Sequence, residues 1–203
     1  MNSKRPFASL RNALMCAMAA TSLLLTACDS KPDFTNLDLT GNTAFGQNFS
    51  LPDTQGKTLN VGDFKGKAVV LVFGYTHCPD VCPTTLADLS QAMQQLGDAS
   101  KQVQVLFVTL DPQRDTAPVL GQYVKAFNPT FIGLRPDSDA ALTSVTHDFR
   151  IYHANVAGST PGDYTVDHTA ASYVFDEKGQ LRLYVKDAQG AQSWVHDLKL
   201  LLS

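Results

Sequence analysis

The sequence predicts an α/β fold, with a central mixed sheet, helices on both faces and a β-hairpin at the N-terminal side. Three observations lead there. Two β-branched and aromatic runs, Ala68–Phe73 and Val103–Leu110, have no polar alternation of the kind a half-exposed strand shows, so they read as strands buried on both faces. Segments with helical spacing follow each of them, which gives a strand–helix alternation. The chain then closes with two more strands around a tight turn and a final helix, so part of the sheet is antiparallel.

The N-terminus reads as a targeting segment rather than part of this fold. Lys4, Arg5 and Arg11 precede an apolar run from Ala13 to Ala27. That run, about 15 residues, is short for a membrane span. Leu25-Thr26-Ala27-Cys28 resembles a bacterial lipobox, in which Cys28 becomes the first mature residue and carries the lipid. The alternatives are an uncleaved anchor and an ordinary signal followed by a chance cysteine. Several acyl chains hold a protein at a membrane where one does not. Asp29 resembles a retention signal for the inner membrane. The expected organisation is a signal over 1–27, a lipidated N-terminus and linker over 28–45, and a folded domain over 46–203.

Removing the three basic residues of the signal takes the formal charge from -3 to -6. An acidic chain of this kind is unsuited to nucleic acid, which needs a basic face. Of the four cysteines, Cys16 leaves with the signal and Cys28 is lipidated, so Cys78 and Cys82 remain. In an exported protein such a pair is a disulfide, a metal site, or each in turn.

Along the domain, Phe49–Leu51 and Thr58–Leu59 flank the turn Asp53-Thr54-Gln55-Gly56, a hairpin signal. Ala68–Phe73 is the first buried strand. Leu86, Leu89, Met93 and Leu96 then make a helical stripe over Pro83–Leu96, ended by Gly97. Val103–Leu110 is a strand, Thr116–Phe127 a helix, Phe131–Leu134 a short strand and Ser138–Phe149 a helix. Residues 154–163, rich in Gly and Pro, read as a mobile loop. Ala170–Phe175 and Leu181–Tyr184 are strands around Asp176-Glu177-Lys178-Gly179, and Gln189–Leu202 is a weakly amphipathic helix.

The chemistry concentrates in Thr76-His77-Cys78-Pro79-Asp80-Val81-Cys82-Pro83, where a buried strand gives way to a helix. Ligand sites of open α/β sheets gather at the carboxyl ends of strands. Pro83 suits a first helical turn, which places Cys82 at or near the N-cap, where the helix dipole favours a thiolate and a lowered pKa. Three residues separate the thiols, a spacing that still closes to a disulfide and also leaves room for a metal. Two thiolates favour soft ions, Cu(I) first and Zn(II) next. A purely structural disulfide is the plain alternative, but so small a loop removes little chain entropy.

A third ligand has five histidines to come from. His77 adjoins Cys78, His147 and His153 flank a helix end, and His196 lies in the terminal helix; all four read as ordinary. His168 lies just before the strand from Ala170. If that strand neighbours Ala68–Phe73, His168 reaches the cysteine loop, with Asp167 or another acceptor on its second ring nitrogen. The residues alone leave it open whether His168 is a ligand or a loop histidine.

Gly74-Tyr75-Thr76-His77-Cys78-Pro79-Asp80-Val81-Cys82-Pro83, Val108-Thr109-Leu110-Asp111-Pro112-Gln113-Arg114-Asp115-Thr116 and Val166-Asp167-His168-Thr169 together resemble the Sco/SenC family, in the same order and over most of Phe49–Leu183. The resemblance implies a thioredoxin-like fold. It implies ligation of Cu(I) or Cu(II) by Cys78, Cys82 and His168, and a role in building the binuclear copper centre of cytochrome c oxidase on the outer face of the cytoplasmic membrane. The implied partners are the oxidase's copper-bearing subunit, another copper chaperone, a thiol reductant and the membrane holding the lipid anchor. Asp111 and Arg114 match positions near the site, and Asp80 and Asp167 are further candidates around the ligands; turn formation and solvated ion pairs are their plainer roles. A thiol–disulfide oxidoreductase is the competing function, since exchange needs only the two thiols. A copper sensor has the same requirements as a chaperone, and a peroxidase needs a different arrangement around one cysteine.

Overall fold

The computed structural model describes residues 32–187 and 189–203; the expectations for the signal segment, for Cys28 and for Asp29 lie outside the described residues. In chain order the strands and helices are β1 (Leu37–Asp38), β2 (Ser50–Pro52), β3 (Thr58–Asn60), β4 (Ala68–Gly74), α1 (Val81–Leu96), β5 (Val103–Thr109), α2 (Ala117–Phe127), β6 (Ile132–Leu134), α3 (Asp139–Asp148), β7 (His153–Ala157), β8 (Tyr164–His168), β9 (Ala171–Phe175), β10 (Leu181–Lys186) and α4 (Gly190–Leu201).

The two apolar runs form the centre of a six-stranded sheet ordered β1-β10-β9-β4-β5-β6. Every residue of β4 and β5 is buried, as continuous apolar runs require. They pair in parallel from Ala68↔Val103 to Gly74↔Thr109, and β6 extends the parallel half. β9 runs antiparallel against β4, with Val72 opposite Ser172, and β10 and β1 continue that half. The sheet is therefore mixed, as the closing hairpin predicts. The N-terminal hairpin forms as β2–β3, with Leu51 opposite Leu59.

Helix α1 buries Leu86, Leu89, Met93 and Leu96, the stripe read from the sequence, and packs with α4. It ends at Gly97, whose φ of 58° costs a glycine little. On the other side of β4, Phe73, Phe149, Tyr173 and Phe175 form an aromatic cluster with ring centroids 5.1–6.2 Å apart. Each fully buried ring contributes about 1.5–3 kcal/mol of apolar transfer.

Two departures from the sequence reading bear on the site. Residues 154–163 are not a free loop: β7 and β8 form a two-stranded antiparallel hairpin, closed at its tip by the Gly158 N–H donating to Asp163 O at 2.8 Å. Half of its strand residues are exposed and Val166 alone of them is buried, so no apolar run marks them. The folded unit also begins at Phe34, ahead of the expected start at 46. The buried Asp197 of α4 accepts from the N–H groups of Thr35 (2.8 Å) and Asn36 (3.0 Å) and from Asn36 Nδ2 (2.8 Å), and β1 pairs Leu37 with Tyr184. Among the described residues no helix is long and apolar enough to cross a membrane.

Candidate metal centre

β4 delivers the chain to the site and Gly74 ends it. A Cβ at Gly74 would lie 2.6 Å from Cys82 Sγ and 2.9 Å from the Phe107 ring, so glycine is what lets the sulfur pack against the end of the strand. The next residues are held by Asp115, whose side chain is fully buried. Its carboxylate accepts from Thr76 N–H (3.0 Å), Thr76 Oγ1 (2.6 Å) and Thr109 Oγ1 (2.5 Å). A buried charge needs such partners, and here they tie the cysteine loop to the end of β5. Asp115 has no marker in the sequence beyond its place in the Asp111–Thr116 block, because its partners are set by the sheet pairing.

Helix α1 starts at Val81 with Asp80 as N-cap, so Cys82 is in the first turn rather than at the cap. Cys82 is 2% exposed and Cys78 half-buried, and both are free thiols. The Cys82 N–H donates to Cys78 Sγ at 3.5 Å. His168, at the end of β8, places Nε2 3.8 Å from Cys82 Sγ. The three donor atoms of Cys78, Cys82 and His168 all lie within 4.8 Å of one another. The antiparallel β4–β9 pairing brings His168 there, because β9 begins three residues beyond it.

The ring nitrogen Nδ1 of His168 is 3.1 Å from the carbonyl of Thr169. A carbonyl only accepts, so Nδ1 carries the proton and Nε2 turns its lone pair to the sulfurs. Thr169 thus takes the part considered for Asp167, which is exposed. Tyr75 stands edge-on to the imidazole, with ring centroids 6.0 Å apart.

The thiols divide their proton unequally. Cys78 is lowered to about 5, first because the Cys82 thiol donates to it, and further by the backbone N–H groups of Cys82, Asp80 and Val81. Cys82 is pushed up by giving that hydrogen bond and by burial. This reverses the sequence expectation, which assigned the lowered pKa to Cys82. The N–H groups at the start of α1 converge on Cys78 Sγ, so the favourable end of the helix serves the earlier cysteine.

Asp80 is exposed and its side chain makes no capping bond. Asp111 and Arg114 form an ion pair beside the site. Arg114 Nη1 donates to Tyr164 O (2.8 Å), its guanidinium lies 3.6 Å from the Tyr164 ring centroid, and Tyr164 Oη donates to Asp111 Oδ1 (2.9 Å). The pair therefore fastens the base of β8, the strand that carries His168, to the loop after β5. Tyr164 was not singled out in the sequence. Of the other histidines, His77 lies 3.7 Å from Asp115 and is exposed, His153 faces His168 across the hairpin, His147 is exposed, and His196 pairs with Asp197.

Two sulfurs and one imidazole on rigid elements suit a soft ion and leave coordination positions open. The donor set therefore fits copper. The SCO1/SenC family model matches residues 37–203. The chain belongs to the SCO1/SenC family.

Among curated SCO1/SenC relatives, the mitochondrial SCO2 homolog of Bos taurus is 38% identical over 152 residues, covering 73% of this chain and 57% of the relative. The SCO2-like protein of Rickettsia felis is 35% identical over 140 residues, or 68% of each chain. Among solved structures, Bradyrhizobium japonicum ScoI with copper bound has a TM-score of 0.68 at 36% identity, covering 78% of this chain and all of that one. Apo Sco1 from Thermus thermophilus reaches 0.74 at 38% identity, over 85% and 99%. The mixed sheet with its helices is the thioredoxin-like arrangement of these SCO1/SenC structures.

Proposed function

We propose that this protein is a copper chaperone that holds its cargo through Cys78, Cys82 and His168 and delivers it to the binuclear copper centre of cytochrome c oxidase. The observation that carries the reading is the convergence of two free thiols and a correctly oriented imidazole within 4.8 Å. Membership of a family with copper-bound relatives supports it. Cys78, half-buried and deprotonated at neutral pH, makes first contact with an incoming ion. Cys82 gives up its proton as the ion arrives, since thiolate is the ligating form. His168 completes the set without losing a proton. Uptake needs both thiols reduced, and release to a partner proceeds by the reverse exchange, one ligand at a time.

The working location in this proposal is the outer face of the cytoplasmic membrane, with Cys28 lipidated after cleavage of residues 1–27. The partners are the copper-bearing oxidase subunit, an upstream copper donor and a thiol reductant.

Thiol–disulfide exchange is the second reading, favoured by one observation. An accessible low-pKa thiol beside a buried, protonated one is the arrangement of an attacking and a resolving cysteine. Anaerobic Cu(I) titration of the reduced protein beside His168→Ala separates the two. A one-to-one complex with a two-sulfur, one-nitrogen X-ray absorption signature, weakened in the variant, supports the chaperone. No tight copper, or no effect of the substitution, turns the assignment to thiol exchange.

A further inference from the structure

Behind the three donors stands a carboxylate that the site as described does not use. Asp187 follows β10 directly, and Lys186 at the end of that strand pairs with Ala171 at the start of β9, close in sequence to His168. On the helix side, Asp187 Oδ1 accepts a long hydrogen bond from Thr85 Oγ1 (3.5 Å), one turn beyond Cys82 in α1. Three elements thus bring Asp187 to the ligand cluster. Its Oδ2 is buried and has no hydrogen-bond partner among the described residues. No lysine or arginine forms an ion pair with it among those residues. Burial raises its carboxyl above the ordinary range; His168 and the Thr85 hydroxyl favour the charged form, and Cys78 opposes it. Cys82 is in turn pushed up by Asp187, among smaller influences.

An orphaned carboxylate oxygen one helical turn from Cys82 destabilises the empty domain, and a buried unpaired acceptor in a native fold calls for a reason. A cation between the sulfurs and the imidazole supplies one. We propose that Asp187 is a charge-setting residue that stabilises Cu(II) relative to Cu(I) at the Cys78–Cys82–His168 site.

The argument is charge arithmetic. With two thiolates and a neutral imidazole, Cu(II) makes a neutral centre and Cu(I) a centre of charge -1. Adding the Asp187 carboxylate makes these -1 and -2. In a poorly solvated setting like charges interact more strongly than in water, so the more negative state bears the larger cost. Asp187 need not touch the metal. It acts through space, with Thr85 fixing one of its oxygens. The inference rests on the copper-binding reading above.

The test is a pair of measurements on full-length protein: Cu(I) and Cu(II) affinities, and the midpoint potential of the loaded site by mediated spectroelectrochemistry. Wild type, Asp187→Asn and Asp187→Glu are compared. A neighbouring unit charge moves such an equilibrium by about one decade or more. Asp187→Asn is therefore expected to lower the Cu(II)-to-Cu(I) affinity ratio about tenfold, which raises a one-electron potential by about 59 mV. Asp187→Glu keeps the charge and holds the ratio within about twofold of wild type. If the Asn variant does not fold, Asp187→Ser removes the same charge and is read the same way. A ratio unchanged in the neutral variant, with both ions still bound, overturns the assignment while leaving the copper site standing. A wild type that binds neither ion overturns both.

Discussion

Substituting Asp115 by alanine tests whether the cysteine loop is held by the network described above. The carboxylate accepts three hydrogen bonds, from Thr76 N–H, Thr76 Oγ1 and Thr109 Oγ1. Bonds to an ionised group contribute about 1.5–3 kcal/mol each, and losing the acceptor strands its donors. Thr109 is fully buried and its hydroxyl is left without this acceptor, whereas Thr76 is half-buried and within reach of water. Allowing for that replacement, the expected loss is about 4 kcal/mol, above the roughly 0.5–3 kcal/mol of most single substitutions, as breaking a buried polar network requires. Against a total stability of about 5–15 kcal/mol this is a large fraction. It corresponds to a fall in Tm of about 8–16 °C at this chain length. Urea unfolding of the reduced, metal-free protein, followed by far-UV circular dichroism with an unchanged m-value, reads the number. Asp115→Asn keeps the shape and loses less than Asp115→Ala: its oxygen in the Oδ2 place still accepts from Thr76 N–H and Thr109 Oγ1, and its amide faces the Thr76 hydroxyl, which can accept. A loss below about 1 kcal/mol in Asp115→Ala refutes the view that this carboxylate anchors the loop.

Two further outcomes follow from the pKa shifts. Cys78 is lowered to about 5, so its thiolate fraction rises as pH passes through that value; iodoacetamide should modify Cys78 rapidly at pH 6–7, with Cys82 unmodified, and peptide mass mapping identifies the site. Burial raises the Asp197 carboxyl, but His196 and the donors from Thr35 and Asn36 outweigh it and hold it below the ordinary carboxylate range. The stability this depressed pKa provides is present above the unfolded-state value of about 4 and is lost as pH falls through the lower folded one. Acid should therefore release residues 34–38, and Asp197→Asn should do so at neutral pH, both read as new cleavage near Phe34 in limited proteolysis.

What was legible in the sequence is what local pattern determines. The β4 and β5 runs are apolar at nearly every position because both faces of a central strand are covered, and that is visible without a partner. The α1 stripe and Gly97 are equally local. The placement of His168 depended on one long-range condition, the pairing of β9 with β4, and that pairing holds. What the sequence hid depends on partners far along the chain. β7 and β8 bury little but Val166, so their hairpin shows no periodic apolar signal, and Gly158, Pro161 and Gly162 at the tip read as a loop. Residues 34–38 are polar enough to pass for a linker until Asp197 is placed opposite them. The distribution of charge between the thiols was misread for a related reason. The dipole argument identifies the helix start correctly, but which sulfur the N–H groups face is set by the turn from Tyr75 to Asp80, not by closeness in sequence to Pro83.

In the proposed chaperone role, the same geometry lets one site serve both uptake and release. A closed cage of buried ligands holds an ion but exchanges it slowly. Here the proposed ligands differ in accessibility: Cys82 is sealed under the end of β4, Cys78 is half-buried, and His168 rides on a hairpin whose Val156 is 43% exposed. The Arg114–Tyr164–Asp111 clamp attaches the start of β8 to the loop after β5. Cys82 can therefore stay fixed as a base while Cys78 meets a partner's ligand and the imidazole closes behind. Thiol exchange alone would need the graded pair of cysteines and nothing more. The Thr169 carbonyl, which orients Nε2 of His168 toward the sulfurs, therefore favours the proposed copper role over exchange alone, since exchange makes no use of that nitrogen.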